Sequence, residues 1–140
     1  MIQITLSILA LVAATVVVHS IGLTWLLRHV ARNETQIIQN SWLVMWLLIR
    51  TVWSLLLIHA IEISLWALFF VRSDLMPSAE SALYFSGVTY TTLGYGDLVL
   101  PAPWRLLGPV EGLTGILMCA LSGAFFFTIF SRILVHRDKA

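Results

Sequence analysis

Residues 79–97 read Ala79-Glu80-Ser81-Ala82-Leu83-Tyr84-Phe85-Ser86-Gly87-Val88-Thr89-Tyr90 and then, without a break, Thr91-Thr92-Leu93-Gly94-Tyr95-Gly96-Asp97. The first part is apolar and aromatic over about twelve residues, too short to cross a hydrocarbon core, and predicts a re-entrant or buried helix. Ser78 is placed to cap it, and Glu80 lies in its first turn, where a negative charge suits the positive end of the helix dipole. The second part, with glycine at alternate positions, predicts extended backbone. Such backbone cannot face lipid, because every unpaired N–H or C=O costs several kcal/mol there. At membrane depth it survives only where its carbonyls line a water- or ion-filled path, and Gly94 and Gly96 admit the backbone angles that such a ladder needs.

Outward from this stretch the chain is apolar. Of its 140 residues 59% are hydrophobic and 11% charged, against about 45–50% and 25% in soluble domains. Three segments are long enough to span: Ile4 to Leu27, Trp42 to Val71, and Trp104 to Leu134. The opening Met1 to Ser20 has the apolar run of a signal peptide but no positive leader, and its apolar character continues to a basic stop at Arg28, so a retained span is expected. Between the first two spans lies a polar connection from Arg28 to Ser41, in which Asn40 or Ser41 is placed to cap the next helix. The expected organisation is an extra amino-terminal span with its linker (1–41), a main unit (42–134) and a polar tail (135–140). The expected fold is an all-α integral membrane protein with three transmembrane helices.

Charge sets the expected orientation. Arg28, His29 and Arg32 flank the first two spans at one side and Arg132, Arg137 and Lys139 follow the third, whereas Arg72 and Arg105 are sparser charge opposite. By the positive-inside tendency the amino terminus lies outside and the carboxyl terminus in the cytoplasm. Trp25, Trp42 and Trp46 then fall near the inner interface, and Trp66 and Trp104 near the outer one. A net charge of +1 and scattered basic residues give no case for nucleic acid. Cys119 stands alone in an apolar run and is expected to be a buried filler. His19, Arg50, His59 and Glu62 interrupt the spans; His59 and Glu62 share a helix face, and a structural or packing role is expected for them.

Thr91-Thr92-Leu93-Gly94-Tyr95-Gly96-Asp97 resembles the signature filter of the potassium channel superfamily, with leucine where valine or isoleucine is commoner. The resemblance covers residues 42–134 and implies an outer helix (42–71), a pore helix (79–90), a filter (91–97) and an inner helix (104–134). It implies that carbonyls of Thr92, Leu93, Gly94 and Tyr95 coordinate the permeant K+, with the Thr92 hydroxyl completing the lowest ring. Thr91, Gly96, Asp97, Tyr84 and Phe85 are expected to support the filter, and Gly112, Gly115, Gly123 and Phe127 are candidate hinge or gate positions. Val88 stands where some members place a carboxylate that pairs with the filter aspartate, so Asp97 needs another partner.

One strand cannot enclose an ion, so the resemblance implies a homotetramer in a cell membrane, apparently a prokaryotic inner membrane, with lipid as its other partner and no soluble ligand domain. Passive K+ conduction is the expected function. A nonselective cation channel, or a non-conducting subunit in which the pore fold serves assembly, are the alternatives. No enzyme is expected, because no span presents a nucleophile with its base or a catalytic carboxylate pair.

Overall fold

The computed structural model describes residues 2–31 and 41–137. Its elements are α1 (Ile2–Ala31), α2 (Ser41–Arg72), α3 (Ala79–Tyr90), a short 3-10 turn (Ala102–Trp104) and α4 (Leu107–Arg137). Among the described residues three helical stretches are long and apolar enough to cross a membrane, which supports a membrane location. The chain is all-α there, with no sheet. Asn40 and most of the expected linker lie outside the described residues.

The helices start and stop where local chemistry dictates. Arg72 ends α2 because Asp74 takes φ 52°, a left-handed cap that lets the Asp74 and Leu75 amides bond back to the Val71 and Phe70 carbonyls. Ser78 then caps α3, its Oγ accepting from the Ser81 amide at 3.1 Å. The third long helix begins at Leu107 rather than Trp104. Pro101 and Pro103 bring the chain instead through the 3-10 turn, closed by the Trp104 amide on the Pro101 carbonyl at 2.8 Å.

The direction of each helix follows from its contacts. One apolar cluster joins Leu11 of α1 to Trp66, Ala67 and Phe70 of α2, Ala82 and Phe85 of α3, and Leu100 and Leu107. A second joins Leu26 of α1 to Leu55 and Ile58 of α2, with Phe125 and Phe126 of α4 against it. A third, farther along, joins Val44 and Leu47 to Ile129 and Ile133. So α1 and α4 run parallel and α2 runs antiparallel to both. The helix α3 starts in the first cluster and descends to mid-bundle, and the chain after it returns to the same end at Leu100. The start of α1 and the end of α4 therefore lie at opposite ends.

Trp66 is fully buried and donates its Nε1–H to the Thr15 hydroxyl at 3.0 Å, so it ties α1 to α2. Thr15 remains satisfied because its own hydroxyl donates to the Leu11 carbonyl. Cys119, expected to be a filler, is exposed on the subunit, where it flanks the inward-facing Met118 and Ser122 and is not packed beneath them. Trp25, Trp42 and Trp46 are exposed on the subunit.

Trp66→Phe keeps the ring and deletes the donor. It is expected to cost about 1 kcal/mol, read as a lower thermal midpoint in detergent, whereas Trp53→Phe, at a position 68% exposed, leaves the midpoint unchanged.

Candidate functional site

Two features meet at the lower end of α3: the segment that leaves it, and a buried polar cluster that holds it. Thr91 continues the helix, its amide and hydroxyl both donating to the Gly87 carbonyl. The Thr92 amide reaches Thr89 and the Gly94 amide reaches Val88, so the segment is anchored to the last turn of α3 by backbone bonds. Thr92, Gly94 and Gly96 carry φ of 62°, 54° and 77°. Alternation of left-handed with ordinary residues turns successive peptide groups the same way, collecting amides on one side and leaving carbonyls to gather on the other. Glycine adopts those angles freely, but Thr92 is β-branched and is strained there by roughly 1–3 kcal/mol. Sequence reasoning placed the special angles at the two glycines and missed Thr92.

Every residue from Thr91 to Asp97 is exposed on the subunit, Leu93 and Tyr95 included. Behind the segment lies a cleft of about 490 Å³ bordered by Phe85, Val88, Leu98 and Gly108 among others. Asp97, which lacks a carboxylate partner at Val88, finds Tyr84: the phenol donates to Oδ2 at 2.8 Å. Tyr84 lies outside the three long helices, and its phenol is raised above the usual range first by that bond, since ionisation would forfeit it beside an anion. Phe85 is buried in the core, edge-on to Phe70 with ring centroids 5.3 Å apart, and also borders that cleft.

The candidate hinge residues separate by environment. A Cβ on Gly115 would run into the Tyr90 carbonyl, and one on Gly112 would meet the Thr89 carbonyl at 3.2 Å. Both glycines therefore admit close approach of α4 to the lower end of α3. Gly123 has open space around it, and Phe127 is exposed. Nearby Glu111 is buried and accepts from the Ser86 hydroxyl, which joins α3 to α4 a second time.

Beneath Tyr90 the buried cluster draws on all four helices. Glu62 is fully buried; its Oε1 meets His19 Nδ1 at 2.9 Å, and its Oε2 meets His59 Nδ1 at 2.9 Å while accepting the Tyr90 hydroxyl. His59 Nε2 meets the Ser122 hydroxyl at 3.0 Å. The shared face of His59 and Glu62 and the hydrogen-bonding role of His19 were legible in sequence. Their convergence with Tyr90 and Ser122 was not, because no local spacing relates four separate helices.

With that geometry described, comparison with known proteins adds one finding. The profile of a family described as an ion channel matches residues 41–134. The chain belongs to this ion channel family. No curated protein and no solved structure matches it. Membership is consistent with non-catalytic transport and with permeation by cations. The match takes in α2, α3, the 91–100 segment and nearly all of α4, and leaves α1 of the ion channel outside.

The contacts at Gly115 generate a paired expectation. Gly115→Ala forces α4 away from the Tyr90 carbonyl and costs about 1–3 kcal/mol, seen as reduced folded yield and a lower melting midpoint, whereas Gly123→Ala is tolerated in the same assay.

Proposed function

We propose that this ion channel is potassium-selective and that Thr91–Asp97 is its filter. The observation that carries the reading is the exposed segment at the lower end of α3, with positive φ at Thr92, Gly94 and Gly96. A dehydrated potassium ion needs rings of oxygen in place of its water, and carbonyls of Thr92, Leu93, Gly94 and Tyr95 on one side of the strand are suited to supply them. In this reading α2 is the outer helix, α3 a re-entrant pore helix and α4 the inner helix. The carboxyl end of α3 turns its negative dipole end toward mid-membrane, where a waiting cation is favoured. Thr91 and Gly96 flank the coordinating carbonyls, and the Tyr84–Asp97 bond braces the outer mouth.

Four copies around one axis close the pore. Leu93, Tyr95 and Val99 are apolar or aromatic yet exposed on the single subunit, and the cleft behind the segment offers space for a neighbour's side chains. The end that carries the start of α1 and the 73–106 excursion faces outside. The end with Arg28, His29 and Arg132 faces the cytoplasm, in this reading that of a prokaryote bounded by its inner membrane. Gly123 and Phe127 remain the gate candidates, whereas Gly112 and Gly115 act as packing contacts.

The test is the reversal potential of purified protein in planar bilayers under a potassium-to-sodium gradient. A value near the potassium equilibrium potential, lost in Gly94→Ala, supports the reading. A value near zero for the unaltered chain refutes selectivity and returns the nonselective cation channel.

A further inference from the structure

The cluster beneath Tyr90 contains more than a carboxylate needs. A buried carboxyl within a membrane bundle is neutralised by a proton, by a cationic side chain or by a metal ion. Among the described residues the groups within ion-pair distance of Glu62 are His19 and His59, both imidazoles that are neutral ligands when unprotonated. One protonated imidazole would balance Glu62, leaving the second a redundant base in a place where polar groups are costly. A divalent cation uses all three donors at once.

We propose that His19, His59 and Glu62 form a binding site for a divalent transition metal of borderline softness, with Zn2+ as the best fit. His19, His59 and Glu62 each offer one ligand atom, and these three atoms all lie within 4.8 Å of one another; the Nδ1 atoms of both imidazoles are the ones already at the carboxylate. Tetrahedral zinc with bonds of about 2.0–2.1 Å sets its ligands roughly 3.3 Å apart. The His–Glu separations of 2.9 Å thus need to open by a few tenths of an ångström, with the imidazoles turning toward a common centre. Tyr90 supplies a fourth donor, its hydroxyl 3.2 Å from His59 Nδ1. The supporting shell is partly built: Ser122 holds the far nitrogen of His59 at 3.0 Å, the contact that fixes a metal-bound imidazole in orientation. The far nitrogen of His19 is buried with no protein partner.

Such a site ties α1, which lies outside the family match, to α2, and through Tyr90 and Ser122 it reaches the lower end of α3 and the middle of α4. Metal occupancy would then hold the extra helix against the ion channel's core. The proposal does not depend on which ion the chain conducts.

The full chain, purified in detergent and stripped with a chelator, is titrated with Co2+ as a visible probe. One Co2+ per chain with tetrahedral d–d absorption, displaced by Zn2+, is the expected result, and Zn2+ raises the melting midpoint of the stripped protein. His19→Ala and Glu62→Gln abolish both effects. Should either variant fail to fold, Ser122→Ala leaves all ligands in place and weakens binding about tenfold or more. His29→Ala changes nothing. Absence of stoichiometric Co2+ uptake by the unaltered chain overturns the proposal and leaves a proton-balanced hydrogen-bond cluster. Uptake that survives every ligand variant overturns it equally, by placing the metal elsewhere.

Discussion

A carboxylate at the centre of an apolar bundle is the constraint around which this molecule is arranged. Glu62 is fully buried, and the alternative to satisfying it is a desolvation cost of several kcal/mol. It is satisfied by groups from three helices, and a fourth is joined through His59 to Ser122. Apolar packing among Leu, Ile and Phe is tolerant of rotation and sliding, especially in lipid, where no hydrophobic force distinguishes helix from tail. Directional bonds to one carboxylate are not. They specify the phase of α1 and α2 and the depth at which α3 ends.

That depth matters because the segment with the special backbone angles starts at Thr91, one residue beyond Tyr90. Tyr90 is bonded to Glu62 through its hydroxyl, and its carbonyl is covered by Gly115 of α4. The lower end of α3 is thus held from the outside by a hydrogen bond and from the inside by close packing. At the other end of the segment the Tyr84–Asp97 bond performs the same office. Between these two anchors the backbone at Thr92 tolerates an angle that an isolated β-branched residue would leave. In the proposed filter, such bracing keeps carbonyl rings at the width of a dehydrated ion.

The polar pairs are distributed by level. Thr15 with Trp66 lies in the first apolar cluster, the Glu62 group lies at mid-bundle, and Ser86 with Glu111 bonds α3 to α4. Each couples elements that the sequence keeps far apart, and α1 takes part in two of them. The helix α1 is therefore integrated with the helices that the ion channel family's profile matches, although that match begins only at residue 41.

Sequence alone determined what depends on local order. Three runs of apolar residues long enough to span, a twelve-residue helix with Ser78 as its cap, the glycines at 94 and 96, and the shared face of His59 and Glu62 all follow from length, period and backbone freedom. What the tertiary structure decided is which helix face meets which. Trp66 and Trp46 are alike as residues, yet one is buried on Thr15 and the other exposed. Cys119 in its apolar run is exposed on the subunit and not buried, and Gly115 and Gly123 differ only in that the Tyr90 carbonyl lies against one of them. The convergence of His19, His59, Glu62, Tyr90 and Ser122 depends on helix phase and depth across the bundle. Composition and spacing within one helix carry no information about either, because both are set by contacts between residues distant in the chain.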